Sequence, residues 1–136
     1  MMQISNYPAS NRSSNVTAWI LQVLLALAFA AAAGAKLASV PMMVESFEQI
    51  GLGQAFRYVT AAVEIIGALA LLAPRVSAFG ALWLAATMFG ATIAHLVRLH
   101  TSPAPALVLF ALCLVVAWLR REQVARPLAH LRDFLK

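Results

Sequence analysis

Charge is what this sequence has least of. Only 11% of its 136 residues are Asp, Glu, Lys or Arg, and 62% are apolar. An ordinary soluble domain holds about 25% charged and 45–50% apolar residues. So little charge leaves too few polar groups to cover a water-facing surface, and the expected solvent is mostly lipid. Cysteine is nearly absent. Cys113 stands alone, which excludes an intramolecular disulfide and a CxxC redox pair; inside an apolar run it reads as a small buried hydrophobe. Of the histidines only His95 falls within an apolar run, so paired-histidine haem ligation inside one subunit has no candidates. There is no glycine loop to cradle a phosphate and no zinc-ligand spacing. No metal site is expected, and nothing in the residues supports catalysis of the chain's own.

Acidic residues are scarcer than basic ones, five against ten, for a formal net charge of +5. In a soluble protein that balance would raise the question of nucleic acid. Here the positions give another reason. Arg120, Arg121, Arg126, Arg132 and Lys136 all follow the last apolar run, and basic residues beside a span keep that end in the cytoplasm against anionic headgroups. The expected partners are membrane lipids, with no nucleic acid.

What is present in quantity is long apolar runs. Four candidate spans occupy residues 18–40, 57–73, 77–96 and 103–119. The first, about 23 residues at 1.5 Å each, crosses the ~30 Å core with some tilt. It is longer than a signal-peptide core, and only Arg12 precedes it, so it is expected to be retained. Residues 1–16 read as a disordered polar tail, 17–119 as the membrane domain and 120–136 as a basic amphipathic cytoplasmic tail. In that last tail Val124, Leu128, Leu131 and Leu135 recur at helical steps, the pattern of a surface helix. Between the first two spans Val44, Phe47 and Ile50 predict a short interfacial helix. Pro74-Arg75 makes spans two and three antiparallel neighbours. The expected fold is all-α, a four-helix transmembrane bundle. An even number of spans puts both termini on one side with Arg12, Arg75 and the basic tail, so both are expected in the cytoplasm. Trp19 and Trp118 fall at the same boundary, where indoles prefer to sit. Ala26, Ala30, Gly34 and Ala38 on span one, and Ala86, Gly90 and Ala94 on span three, form small-residue stripes of the kind that let helices approach closely.

Three spans each carry an ionisable group. Glu64 lies inside the second, and a carboxylate there costs roughly 2.5–3.5 kcal/mol or more, so it is retained only with a partner or a use. With the expected topology, Lys36 lies ~6 Å and Glu64 ~10 Å below the outer boundary, with His95 close to it. Lys36 and His95 are thus expected to meet Glu64 and form a ligand-binding or proton-relay cluster. Thr60, Gly67 and Ala68 share or adjoin its face and are expected to line a pocket beside it. Gln22, ~21 Å along the axis from Lys36, cannot belong to the same cluster. The plainer alternatives are a lysine that snorkels, an interfacial histidine, and a glutamate that only clamps helices.

The segments Gly34-Ala35-Lys36-Leu37, Ile50-Gly51-Leu52-Gly53, Val63-Glu64-Ile65-Ile66-Gly67-Ala68 through Ala73-Pro74, and Met88-Phe89-Gly90-Ala91 followed by His95 come in an order and spacing that resembles the DoxX-like family of small four-span bacterial membrane proteins. The resemblance covers residues from Trp19 to Trp118. It implies a four-helix bundle in the bacterial inner membrane, with Lys36, Glu64 and His95 at the family's polar positions. It also links the chain to quinone-coupled or oxidative-stress complexes, although the missing second cysteine leaves thiol chemistry unsupported.

The function expected first is therefore a quinone- or small-molecule-binding subunit that works with a redox partner protein, quinone being the one cofactor to test. Two other functions fit the same residues. One is a small proton-coupled transporter using Glu64, although small multidrug exporters usually carry that glutamate in the first span. The other is a ligand-free scaffold or assembly protein. A second copy of the chain is a further partner to test.

Overall fold

The computed structural model describes residues 10–135, and among these every regular element is helical. Helix α1, Ser10–Leu37, is the longest. Of the tail expected over residues 1–16, the part up to residue 9 lies outside the described residues, and from Ser10 on it is the first turns of α1. The helix stops because Ser39 turns left-handed, at φ 55°, and Val40 is extended before Pro41. Proline disfavours helical backbone at the residue before it and is well placed at the first helical position. It opens the short α2, Pro41–Ile50, which ends on left-handed Gly51. The expected interfacial helix is this one: Phe47 is buried, with its ring 6.0 Å from that of Phe56.

Helix α3 spans Gln54–Leu72, α4 Ser77–Ala94 and α5 Ala104–Leu119. At its end α4 widens into a π turn, His95–Leu99, before left-handed His100 reverses the chain. Helix α6, Glu122–Phe134, follows α5 after a bend of 59°. Three stretches, Arg12–Leu37, Gln54–Leu72 and Ser77–Leu99, are long and apolar enough to cross a membrane, and there are four if α5 with α6 counts as one bent span.

The principal neighbours are α1 with α3, α3 with α4, α4 with α5, and α5 with α1, which closes a ring of helices. Its core holds Leu25, Phe29, Leu71, Leu84, Met88, Cys113 and Val116 among small alanines. The outer surface is apolar too: Leu24, Leu27, Ile66, Leu69, Phe89 and Val108 are all more than half exposed. A soluble monomer does not present apolar surface all round; in lipid this is the expected outer face.

Small residues do bring helices together, but not those in the expected stripes. A Cβ on Gly80 would lie 2.7 Å from the Ala70 Cβ and 2.9 Å from its carbonyl carbon, so α3 and α4 touch at the backbone there. By contrast Ala30, Gly34 and Ala38 are exposed, and a Cβ on Gly34 would meet nothing within 4 Å. The reason is geometric. At 3.6 residues per turn, each four-residue step rotates about 40° around the helix, so a long i+4 row leaves any one interface. Only Ala26 of the first stripe is in the core.

Candidate functional site

Helices α1 and α3 pack closely enough for Lys36 and Glu64 to meet. The Lys36 Nζ donates to both carboxylate oxygens, at 2.9 and 2.8 Å. Both residues are buried, at 9% and 3% exposure. Lys36 lies in the last turn of α1, where the partial negative charge of the helix end favours a cation. Glu64 sits mid-helix on the face of α3 that meets α1.

A third charged group joins them. Arg57, only 3% exposed, lies seven residues before Glu64 and so on nearly the same face of α3. Its Nη1 donates to the Lys36 carbonyl, its Nε to Gln54 Oε1 at 2.7 Å, and its Nη2 to the Tyr58 hydroxyl at 3.1 Å. Its guanidinium stands 4.4 Å from the Tyr58 ring centre. The last carbonyls of a helix lack intrahelical donors, and Arg57 caps one of those at the end of α1. Sequence reasoning took Arg57 only as a span boundary. The signal that could have found it is its spacing of seven from a buried carboxylate.

His95 does not join this group. Its Nδ1 shares a 2.7 Å hydrogen bond with Thr101 Oγ1, the ring is half-buried, and neither Lys36 nor Glu64 is bonded to it. The π turn and left-handed His100 fold the following link back, with the Thr101 amide donating to the His95 carbonyl, and this brings the hydroxyl to the imidazole. The expected trio of Lys36, Glu64 and His95 is thus an ion pair capped by an arginine.

The pocket expected beside the carboxylate is also corrected. The space over Gly67 is taken by the Leu84 side chain, which a Cβ there would meet at 2.4 Å. Ala68 lines a shallow furrow of about 200 Å³ between α1 and α3, with Val23, Leu27 and Ile65. Only Thr60 lines a sizeable groove, about 580 Å³ in volume, bounded by α2, α3, α4 and the π turn. Its walls include Phe47, Phe56, Val63 and Gly90, with Thr87 and Arg98 as polar groups, and Glu64 is not among its lining residues. Thr60 and Thr87 each donate to a backbone carbonyl of their own helix, at 2.9 and 3.0 Å, which leaves hydroxyl lone pairs to accept. Trp83 Nε1 donates to the Val63 carbonyl at 3.0 Å and ties α4 to α3 beneath the groove.

Gln22 belongs to the opposite end, as its distance along the axis requires. It donates to the Leu71 carbonyl at 2.5 Å and accepts from Arg120 Nε at 2.9 Å. Among the described residues no buried side-chain polar atom lacks a hydrogen bond.

An all-helical ring with an apolar exterior and a buried ion pair between two of its helices defines an integral, multi-pass membrane protein. The comparison with family models agrees. Residues 20–118 match the DoxX-like family, and the chain belongs to that family. No curated protein matches it, and no solved structure does.

Proposed function

We propose that the chain is a ligand-holding membrane subunit that binds an amphipathic molecule of the quinone class in the groove between α2, α3 and α4, and that a redox partner protein carries the electron transfer. The observation that carries this reading is the groove itself. Its volume of about 580 Å³ falls within the 300–1,000 Å³ of small-molecule sites, and an apolar lining with a few polar groups is what such sites share. Arg98 offers donors to a ring carbonyl, the two threonine oxygens can accept from the hydroxyls of the reduced quinol, and Phe47 and Phe56 offer apolar surface for the ring. The Lys36–Glu64 pair holds α1 against α3 and lies outside the seat.

In this reading α5 completes a fourth span, extended toward Pro103, and both termini lie in the cytoplasm of a bacterial inner membrane. The support is the charge distribution: Arg12, Arg75, Arg120, Arg121, Arg126 and Arg132 are at one end, against Lys36, Arg57 and Arg98 at the other. A reporter fused after residue 135 that is active only outside the cytoplasm would reverse this orientation.

The test of the seat uses Gly90, where a new Cβ would meet nothing within 4 Å. Gly90→Leu fills the groove and raises helix propensity. The purified variant is expected to keep its melting temperature and to bind decylubiquinone about tenfold more weakly, a loss of ~1.4 kcal/mol. Equal binding by variant and parent sinks the seat. A second reading, a ligand-free scaffold, is favoured by the complete satisfaction of the buried pair; it predicts no saturable binding by either protein.

A further inference from the structure

The end of the molecule opposite Lys36 carries a second concavity, independent of the proposed quinone seat. It is a cleft of about 540 Å³ where the α3–α4 turn meets the break between α5 and α6, and Arg75, Arg120, Arg121 and Arg126 all line it. We infer that this cleft is a binding site for a phosphate group at the membrane surface.

The charge balance is the first ground. Among the described residues the only acidic one on the cleft is Glu122, whose exposed carboxylate pairs with Arg126 at 3.7 Å. An exposed pair of that length holds little energy and is readily exchanged for a better anion. Arg75 has no hydrogen-bond or ion-pair partner among the described residues, and residues 1–9 include no acidic side chain to supply one. Four arginines gathered around one cleft with a single carboxylate among them are a poor arrangement unless an anion joins them. The planar guanidinium offers donors in a fork that matches phosphate oxygens.

The second ground is that the site is built. Arg120 is fixed by Gln22 at 2.9 Å and by Asn15 Oδ1 at 2.6 Å, and stands over the Trp19 ring. Arg121 donates to the Trp118 carbonyl at 3.1 Å and lies 4.4 Å from that ring's centre. Gln123 pins the start of α6: it donates to the Pro74 carbonyl at 2.8 Å and accepts from the Ala78 amide at 3.0 Å. These bonds hold α6 folded over the α3–α4 turn, so arginines from separate segments face one volume. The third ground is depth. Indoles settle at the headgroup level, and two of them flank this cleft, which puts it where phosphate groups are concentrated.

A phosphate can come from an anionic lipid or from solution, and the two are separable. The full chain, with Trp83→Phe so that only Trp19 and Trp118 emit, is titrated in neutral detergent with dioctanoyl phosphatidylglycerol and, separately, with inorganic phosphate, following tryptophan fluorescence. Saturation by the lipid alone assigns a headgroup site; saturation by inorganic phosphate, in competition with the lipid, assigns a soluble ligand. For whichever probe binds, each basic charge is worth about fivefold near such a surface. Arg75→Gln and Arg126→Gln are each expected to raise the dissociation constant about fivefold, and the double variant about thirtyfold. Arg132→Gln, on the same helix but not on the cleft, is expected to change it less than about twofold. No saturable response to either probe overturns the site. So does an Arg132→Gln loss equal to that of Arg75→Gln, because the attraction would then belong to a diffuse basic surface. Arg75 and Arg126 hold no helix in place, so helical content should be unchanged in both variants.

Discussion

Removing the Glu64 charge is the sharpest test of what holds α1 to α3. At 2.8 Å and an effective dielectric of ~20, the Lys36–Glu64 attraction is about 6 kcal/mol. Withdrawing both ions from water costs several kcal/mol each. The intact pair is therefore close to break-even against an apolar replacement, whereas half a pair is costly. Glu64→Gln leaves the Lys36 ammonium buried beside a neutral amide, and breaking a buried pair in this way costs about 3–5 kcal/mol. For a chain of this size each kcal/mol moves the midpoint roughly 3–5 °C, so a drop of at least roughly 10 °C is expected. Lys36→Met should cost a similar amount. Lys36→Met combined with Glu64→Leu removes both ions and fills the space, and should return to within a few degrees of the parent. The assay is thermal loss of helical circular dichroism for the purified protein in non-ionic detergent. A single variant within about 2 °C of the parent, or a double variant that falls by the sum of the two singles, would refute the clamp, because uncoupled residues add.

Other outcomes follow from the same geometry. Gly80→Ala drives a Cβ into the Ala70 backbone and should destabilise by about 1–3 kcal/mol, while Gly34→Ala, with open space, should stabilise by up to about 1 kcal/mol; thermal melts of the pair check the contrast. Arg57→Gln removes the donor to the Lys36 carbonyl and the Tyr58 contact, and a cost of about 1–3 kcal/mol is expected from a charged hydrogen bond. His95→Ala loses one partly exposed hydrogen bond, so its melt should fall by no more than the equivalent of about 1.5 kcal/mol; a loss as large as that of Glu64→Gln would return His95 to the cluster. Cys113, with 0% exposure, should react with maleimide only after denaturation.

The membrane class was legible in the sequence because it depends on composition and run length, which need no coordinates. The depth argument placed Lys36 and Glu64 at similar levels, and the pair forms there. It also separated Gln22 from them, and Gln22 bonds Arg120 and Leu71 at the far end. Residue spacing fixes position along a helix axis. The rotation of a helix about that axis, and its distance from its neighbours, are set by how side chains interlock. That is why Leu84 could fill the space over Gly67, why the small-residue stripes turned away from the interfaces, and why Thr60 faces the groove while Glu64 faces α1.

Taken alone, the order of residues determined that the chain lives in lipid, that its apolar runs are helical, and that a buried carboxylate needs a cation from another span. Backbone groups cannot stay unpaired in hydrocarbon, and a lone charge there is too costly to leave unanswered. Which cation answers, and which groups stay apart, only the packed bundle decided. Arg57 entered the cluster because α3 presents it to the last turn of α1. His95 left it because a π turn at the end of α4 carries the chain back to Thr101.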